Sequence, residues 1–128
     1  MLSRCILNNL TVGCWNIEGV YEKVNSLKIC KLDLPFFHET LKIFDILCLQ
    51  ETHLGQDDNI PEINGYATAS HCRRKSGNNR YFGGLLIYTK SSIKNGVKID
   101  LKLDEDILEV TLLKNVFGLS KDKNIVFT

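Results

Sequence analysis

The stretch Asp45-Ile46-Leu47-Cys48-Leu49-Gln50-Glu51-Thr52 constrains this chain more than any other. Four apolar residues run unbroken from Ile46 to Leu49, the pattern of a strand buried on both faces. Gln50 and Glu51 follow with no turn residue between them. An unpaired carboxylate is costly to bury, so a Glu at the end of such a strand must reach solvent, pair with a cation or hold a metal ion. The strand alone leaves all three open.

Upstream, Leu10-Thr11-Val12-Gly13-Cys14-Trp15-Asn16 reads as another strand, with Val12, Cys14 and Asn16 on one face and Thr11, Gly13 and Trp15 on the other. Gly19 marks a break. The spacing of Val20, Val24 and Leu27 predicts helical character from Val20 onward. Pro35 suits the first turn of a second helix, with Phe37, Leu41 and Phe44 as its apolar stripe and His38 on its surface. Strand, helical connection and strand make a β-α-β unit, in which the two strands run parallel. Asn16 and Glu51 then both fall at the C-terminal edge of the sheet, where open α/β sheets place their ligands.

Downstream of Glu51, the residues Gly55, Asp57, Asp58, Asn59 and Pro61 read as a loop, and Gly65 to Ser70 as a short strand. Gly83 to Thr89 reads as a core strand whose Gly83-Gly84 pair lets another segment approach closely. Ser91 to Gly96 is a turn. The alternating Val97, Ile99, Leu101, Leu103 and Leu108, Val110, Leu112 predict an antiparallel hairpin about Asp104-Glu105-Asp106. After a turn at Leu119 to Lys123, a last strand starts at Asn124 and runs to Thr128, so the chain reads as a fragment.

At 128 residues, 44% apolar and 24% charged, the chain can build one domain with a core. A net charge of +1 favours no class of partner, but charge is unevenly placed. From Tyr66 to Lys90 there is no acidic residue, whereas Arg73, Arg74, Lys75, Arg80 and Lys90 are all basic. That stretch is either a solvated loop or a contact for an anionic partner. The five cysteines are odd in number, and no two have the close spacing of a zinc site. Cys14 and Cys48 lie in apolar runs, which fits a reducing compartment, nuclear or cytoplasmic. No secretory signal opens the chain, and no apolar run is long enough to cross a membrane.

Three segments together resemble the endonuclease/exonuclease/phosphatase superfamily. Thr11 to Gly19 (TVGCWNIEG) looks like its first motif, a strand ending in Asn. Asp45 to His53 (DILCLQETH) looks like its second, a strand ending in a metal-binding Glu, and Tyr81 to Lys90 (YFGGLLIYTK) looks like the Gly-Gly core strand that follows. The texture is most similar to the apurinic/apyrimidinic-endonuclease-like domains of LINE-type non-LTR retrotransposons.

The resemblance implies the N-terminal half of a two-sheet α/β sandwich, DNase I-like, with helices outside: residues 1–128 as one partial domain, truncated on its C-terminal side. It implies Asn16 and Glu51 as catalytic residues, with Glu51 ligating Mg²⁺ (or Mn²⁺) and Asn16 positioning the phosphate. It implies DNA as partner, contacted by Arg73, Arg74, Lys75 and Arg80, and a reverse transcriptase downstream in the same polyprotein. The family's later motifs, including the Asp and His that activate water, have no counterpart in these residues, and His53 and His71 do not match them. The expected function is therefore that of a metal-dependent DNA endonuclease whose first half alone does not cleave. The same early motifs also serve phosphatases of inositol phosphates or lipids, and a non-catalytic remnant would carry them too.

Overall fold

The computed structural model describes residues 2–7, 9–55, 58–71, 83–102, 107–117 and 119–127. Strands β1 (Leu2–Leu7) and β2 (Leu10–Asn16) form an antiparallel hairpin. A small separate hairpin follows, of β3 (Tyr21–Val24) and β4 (Leu27–Cys30). A 3-10 turn at Lys31–Asp33 leads into helix α1 (Pro35–Leu41), and β5 (Ile46–Gln50) comes next. Beyond it lie β6 (Tyr66–His71), β7 (Leu85–Lys90), β8 (Val97–Lys102), β9 (Ile107–Leu112), the one-turn helix α2 (Lys114–Phe117) and β10 (Lys123–Phe127).

Among the described residues, five strands form a sheet in the order β1-β2-β5-β7-β6, and three form a second sheet, β10-β9-β8. β2 and β5 are immediate parallel neighbours, with Val12 opposite Ile46 and Asn16 opposite Gln50. All other described pairings are antiparallel.

Period-two alternation sorts the side chains of the large sheet into two cores. Val12, Ile46, Cys48, Leu85 and Ile87 pack against Val110, Leu112 and Phe127 of the smaller sheet. Leu47, Leu49, Leu86 and Tyr88 point the other way, onto Phe37, Leu41 and Phe44 of the α1 region, together with Val20, Leu32 and Leu54. The layers are thus helix, sheet and sheet, which is the expected α/β sandwich with few helices. β5 is covered on both sides, and its residues Ile46 to Leu49 are completely buried. Gly13 permits this packing: a Cβ there would meet the Phe44 ring and stand 2.8 Å from the Ser3 carbonyl oxygen.

The helix expected from Val20 onward is not formed. Asn25 and Ser26 both take positive φ, 51° and 68°, and make a two-residue turn that matches the twist of a hairpin. Tyr21, Val24 and Ile29 suit strands. The helical spacing of Val24 and Leu27 has no buried surface behind it, since Leu27 is 68% exposed. The second expected helix does begin at Pro35 but ends at Leu41, and Phe44 reaches the core from the turn beyond. β1 has no clear signature in the sequence; it is an edge strand whose residues Leu2 to Ile6 are exposed, so burial leaves little mark on them. The turn expected at Asp104-Glu105-Asp106 lies outside the described residues, although the β8–β9 hairpin on either side of it is present.

Candidate active site

The parallel ladder of β2 and β5 continues past the ends of both strands. The N–H of Ile17 donates to the Gln50 carbonyl at 3.2 Å, that of Gly19 to Glu51 at 2.7 Å, and that of Val20 to Thr52 at 2.9 Å. From the other side, the N–H groups of Thr52 and His53 donate to the carbonyls of Gly84 (3.3 Å) and Gly83 (2.8 Å). Residues 51–53 are therefore clamped between the 17–20 loop and the Gly83-Gly84 pair. Gly83 and Gly84 have φ of 70° and 92°, which only glycine adopts cheaply.

Within the clamp, Glu51 and His53 both hold φ of 54°, with the buried Thr52 between them. A left-handed Glu costs on the order of 1–3 kcal/mol, and such strain persists where the surroundings over-determine it, commonly at functional sites. The carboxylate reaches across the clamp. Glu51 Oε2 accepts the Gly83 N–H at 3.1 Å and lies 3.2 Å from His53 Nε2, an ion pair whenever that imidazole is protonated. The Glu51 side chain remains 45% exposed.

Asn16 stands on the same edge, one ladder position back. Its Oδ1 accepts the Glu18 N–H at 3.2 Å, which closes a tight turn and turns the amide NH₂ outward as the donating end of the side chain. Lys31 stiffens the turn from outside, because its ammonium donates to the carbonyls of Ile17 (2.8 Å) and Glu18 (3.2 Å). The edge thus carries a fixed carboxylate, an amide, an imidazole and an ammonium within a few residues of one another in the fold.

Of the residues singled out in the sequence, the structure brings Asn16 and Glu51 to one edge. Arg73, Arg74, Lys75 and Arg80 lie outside the described residues. His71 closes β6 opposite Leu85. His53, which does not match the family's water-activating residues in sequence, lies against the Glu51 carboxylate. Two further groups, the Lys31 ammonium and the Gly83 N–H, escape sequence reasoning altogether. The Gly-Gly pair signals the close approach, but nothing marks Lys31, since its neighbourhood reads as helix.

Among the described residues, no three His, Cys, Asp or Glu side chains stand together as a ready-made metal cage. The donor set still fits a hard cation. Mg²⁺ takes oxygen ligands and keeps several waters, so one exposed carboxylate on a rigid backbone suffices as a protein ligand when phosphate oxygens complete the shell.

A helix-sheet-sheet sandwich with a strained acidic edge at the ends of two parallel strands defines a DNase I-like α/β protein. The chain belongs to the endonuclease/exonuclease/phosphatase family, which matches residues 13–124. No curated protein and no solved structure matches it. Family membership implies, in general terms, a hydrolase of phosphate esters of a kind that generally depends on a divalent metal.

Proposed function

We propose that this chain contributes Asn16 and Glu51 to the active site of a Mg²⁺- or Mn²⁺-dependent DNA endonuclease of the retrotransposon type. The observation that carries the reading is the Glu51 carboxylate, held at the sheet edge by the Gly83 N–H, one ladder step from Asn16. Glu51 would hold the ion. A bound divalent metal supplies positive charge at the phosphate and makes its bound water more acidic. Asn16 donates its amide to a phosphate oxygen, while the Lys31-braced turn keeps that amide in place. His53 restrains the carboxylate, so that little ordering remains when substrate arrives.

DNA is favoured over a small inositol phosphate or a lipid because Arg73, Arg74, Lys75 and Arg80 form a basic run between the second motif and the Gly-Gly strand. The test has two parts. Mn²⁺ added to the 128-residue chain should broaden the amide resonances of Glu51 and Gly83 selectively, and Glu51→Gln should abolish this. Protein expressed from the full reading frame should nick supercoiled plasmid with Mg²⁺, strongly impaired by Asn16→Ala and abolished by Glu51→Gln. Phosphate release from inositol polyphosphates with the plasmid left intact would replace this reading by the phosphatase one.

A further inference from the structure

We propose that the cleft between the end of β2 and the first turn of α1 binds a DNA base next to the phosphate held at the Asn16–Glu51 edge. This rests on the DNA reading above and adds to it a second point of substrate recognition. The cleft encloses about 310 Å³, and Trp15, Asn16, Glu18, Glu22, Lys31 and Phe36 are among its lining residues. It is continuous with the candidate site, since Asn16 belongs to both.

Its floor is aromatic. Trp15 stacks on the buried Phe37, with ring centroids 6.0 Å apart and planes 20° apart, and meets Phe36 edge-on at 6.1 Å and 78°. Phe36 is 69% exposed, and Leu34 beside it is also exposed. Single exposed apolar residues need no explanation, but here they join Trp15 in one concave wall that ends at a polar edge. A base offers a flat π-face to such a wall, and stacking on aromatic side chains is a common way of holding unpaired bases.

The rim decides which part of a nucleotide enters. Glu18 and Glu22 repel a phosphate, while the Lys31 ammonium is committed to the carbonyls of Ile17 and Glu18. The two carboxylates present acceptors. A base with an exocyclic amino group, which cytosine, adenine and guanine all have, can donate to them, whereas thymine offers no such group.

The experiment uses protein expressed from the full reading frame, without added metal so that no cleavage occurs. Affinity is measured for short single-stranded oligo(dC), oligo(dA) and oligo(dT), and the fluorescence of 2-aminopurine placed in an oligo(dA) strand is followed. Wild type should quench 2-aminopurine and bind dC and dA more tightly than dT. Phe36→Ala should weaken binding roughly tenfold and remove the quench with the salt slope unchanged, because the ring holds a base and no phosphate. Phe36→Tyr should restore both, and Glu22→Gln should narrow the preference for dC over dT. Unchanged affinity and quenching in Phe36→Ala overturn the base site while leaving the endonuclease reading standing. So does a Phe36→Ala variant that loses only self-association, which would assign the face to a second copy. A protein that binds no oligonucleotide and nicks no plasmid overturns both.

Discussion

The backbone N–H of Gly83 donates to Oε2 of Glu51 at 3.1 Å, joining the end of β5 to the entry of β7. Both partners hold a left-handed backbone just beyond the sheet, with φ of 54° at Glu51 and 70° at Gly83. A carboxylate that continued along the strand direction would point into water. The acidic edge is therefore a backbone property as much as a side-chain one.

Glu51→Asn should separate strain from chemistry. Asn adopts the left-handed region more readily than Glu, which offsets part of the missing hydrogen bonding. Its stability in urea should stay within about 1 kcal/mol of wild type, a balance of strain relieved and a bond removed. Nicking by the full-frame protein should fall to background. Gly83→Ala, strained at its positive φ, should lose about 1–2 kcal/mol. A Glu51→Asn variant that lost more than about 3 kcal/mol would mark the carboxylate as structural.

Gly13→Ala should destabilise by about 1–3 kcal/mol through overpacking against the Phe44 ring and the Ser3 carbonyl. Phe44→Leu opens space at that point, so Gly13→Ala should cost less in the Phe44→Leu background than alone. A double-mutant cycle by urea denaturation measures the coupling. Costs that simply add would place the strain elsewhere.

Stability should fall as pH rises into the alkaline range. Burial pushes the Tyr88 hydroxyl and the Cys48 thiol well above their ordinary values. The folded chain therefore keeps protons that the unfolded chain releases, and stability is full below the unfolded values and lost as pH climbs above them. The decline should begin near pH 9, the ordinary Cys value, and steepen near 10, the ordinary Tyr value. Tyr88→Phe should cost about 1 kcal/mol at neutral pH, because it removes the 2.7 Å bond from the Tyr88 hydroxyl to the Pro61 carbonyl. It should also flatten the limb above pH 10. Urea midpoints from about pH 8 to 11 check this, and a Tyr88→Phe curve parallel to wild type would show that Tyr88 does not carry it.

The basic run lies outside the described residues, so solution binding decides its role. With Arg73→Ala, Arg74→Ala and Lys75→Ala combined, the slope of log affinity against log salt should fall by about one unit for each phosphate these side chains neutralise. The weakening should be similar for every DNA sequence. An unchanged slope would make the run a solvated loop.

The sequence by itself determined the buried β5 strand, its parallel relation to β2 and the arrival of Asn16 and Glu51 at one edge. These follow from an unbroken apolar run and period-two alternation, which are local, and from the fixed geometry of a crossover, which holds for any two parallel strands so joined. The Gly83-Gly84 pair likewise announces a close approach, though not its partner. Local reasoning fails from Val20 to Cys30, where helical spacing competes with a two-residue turn. The turn wins because no core lies behind the helical face. Only the tertiary structure decided which atoms meet at the site: Oε2 of Glu51 with the Gly83 N–H and His53, and the Lys31 ammonium with the turn after Asn16. Those meetings join segments up to 32 positions apart, through backbone angles that Glu and His seldom adopt and that their neighbours impose.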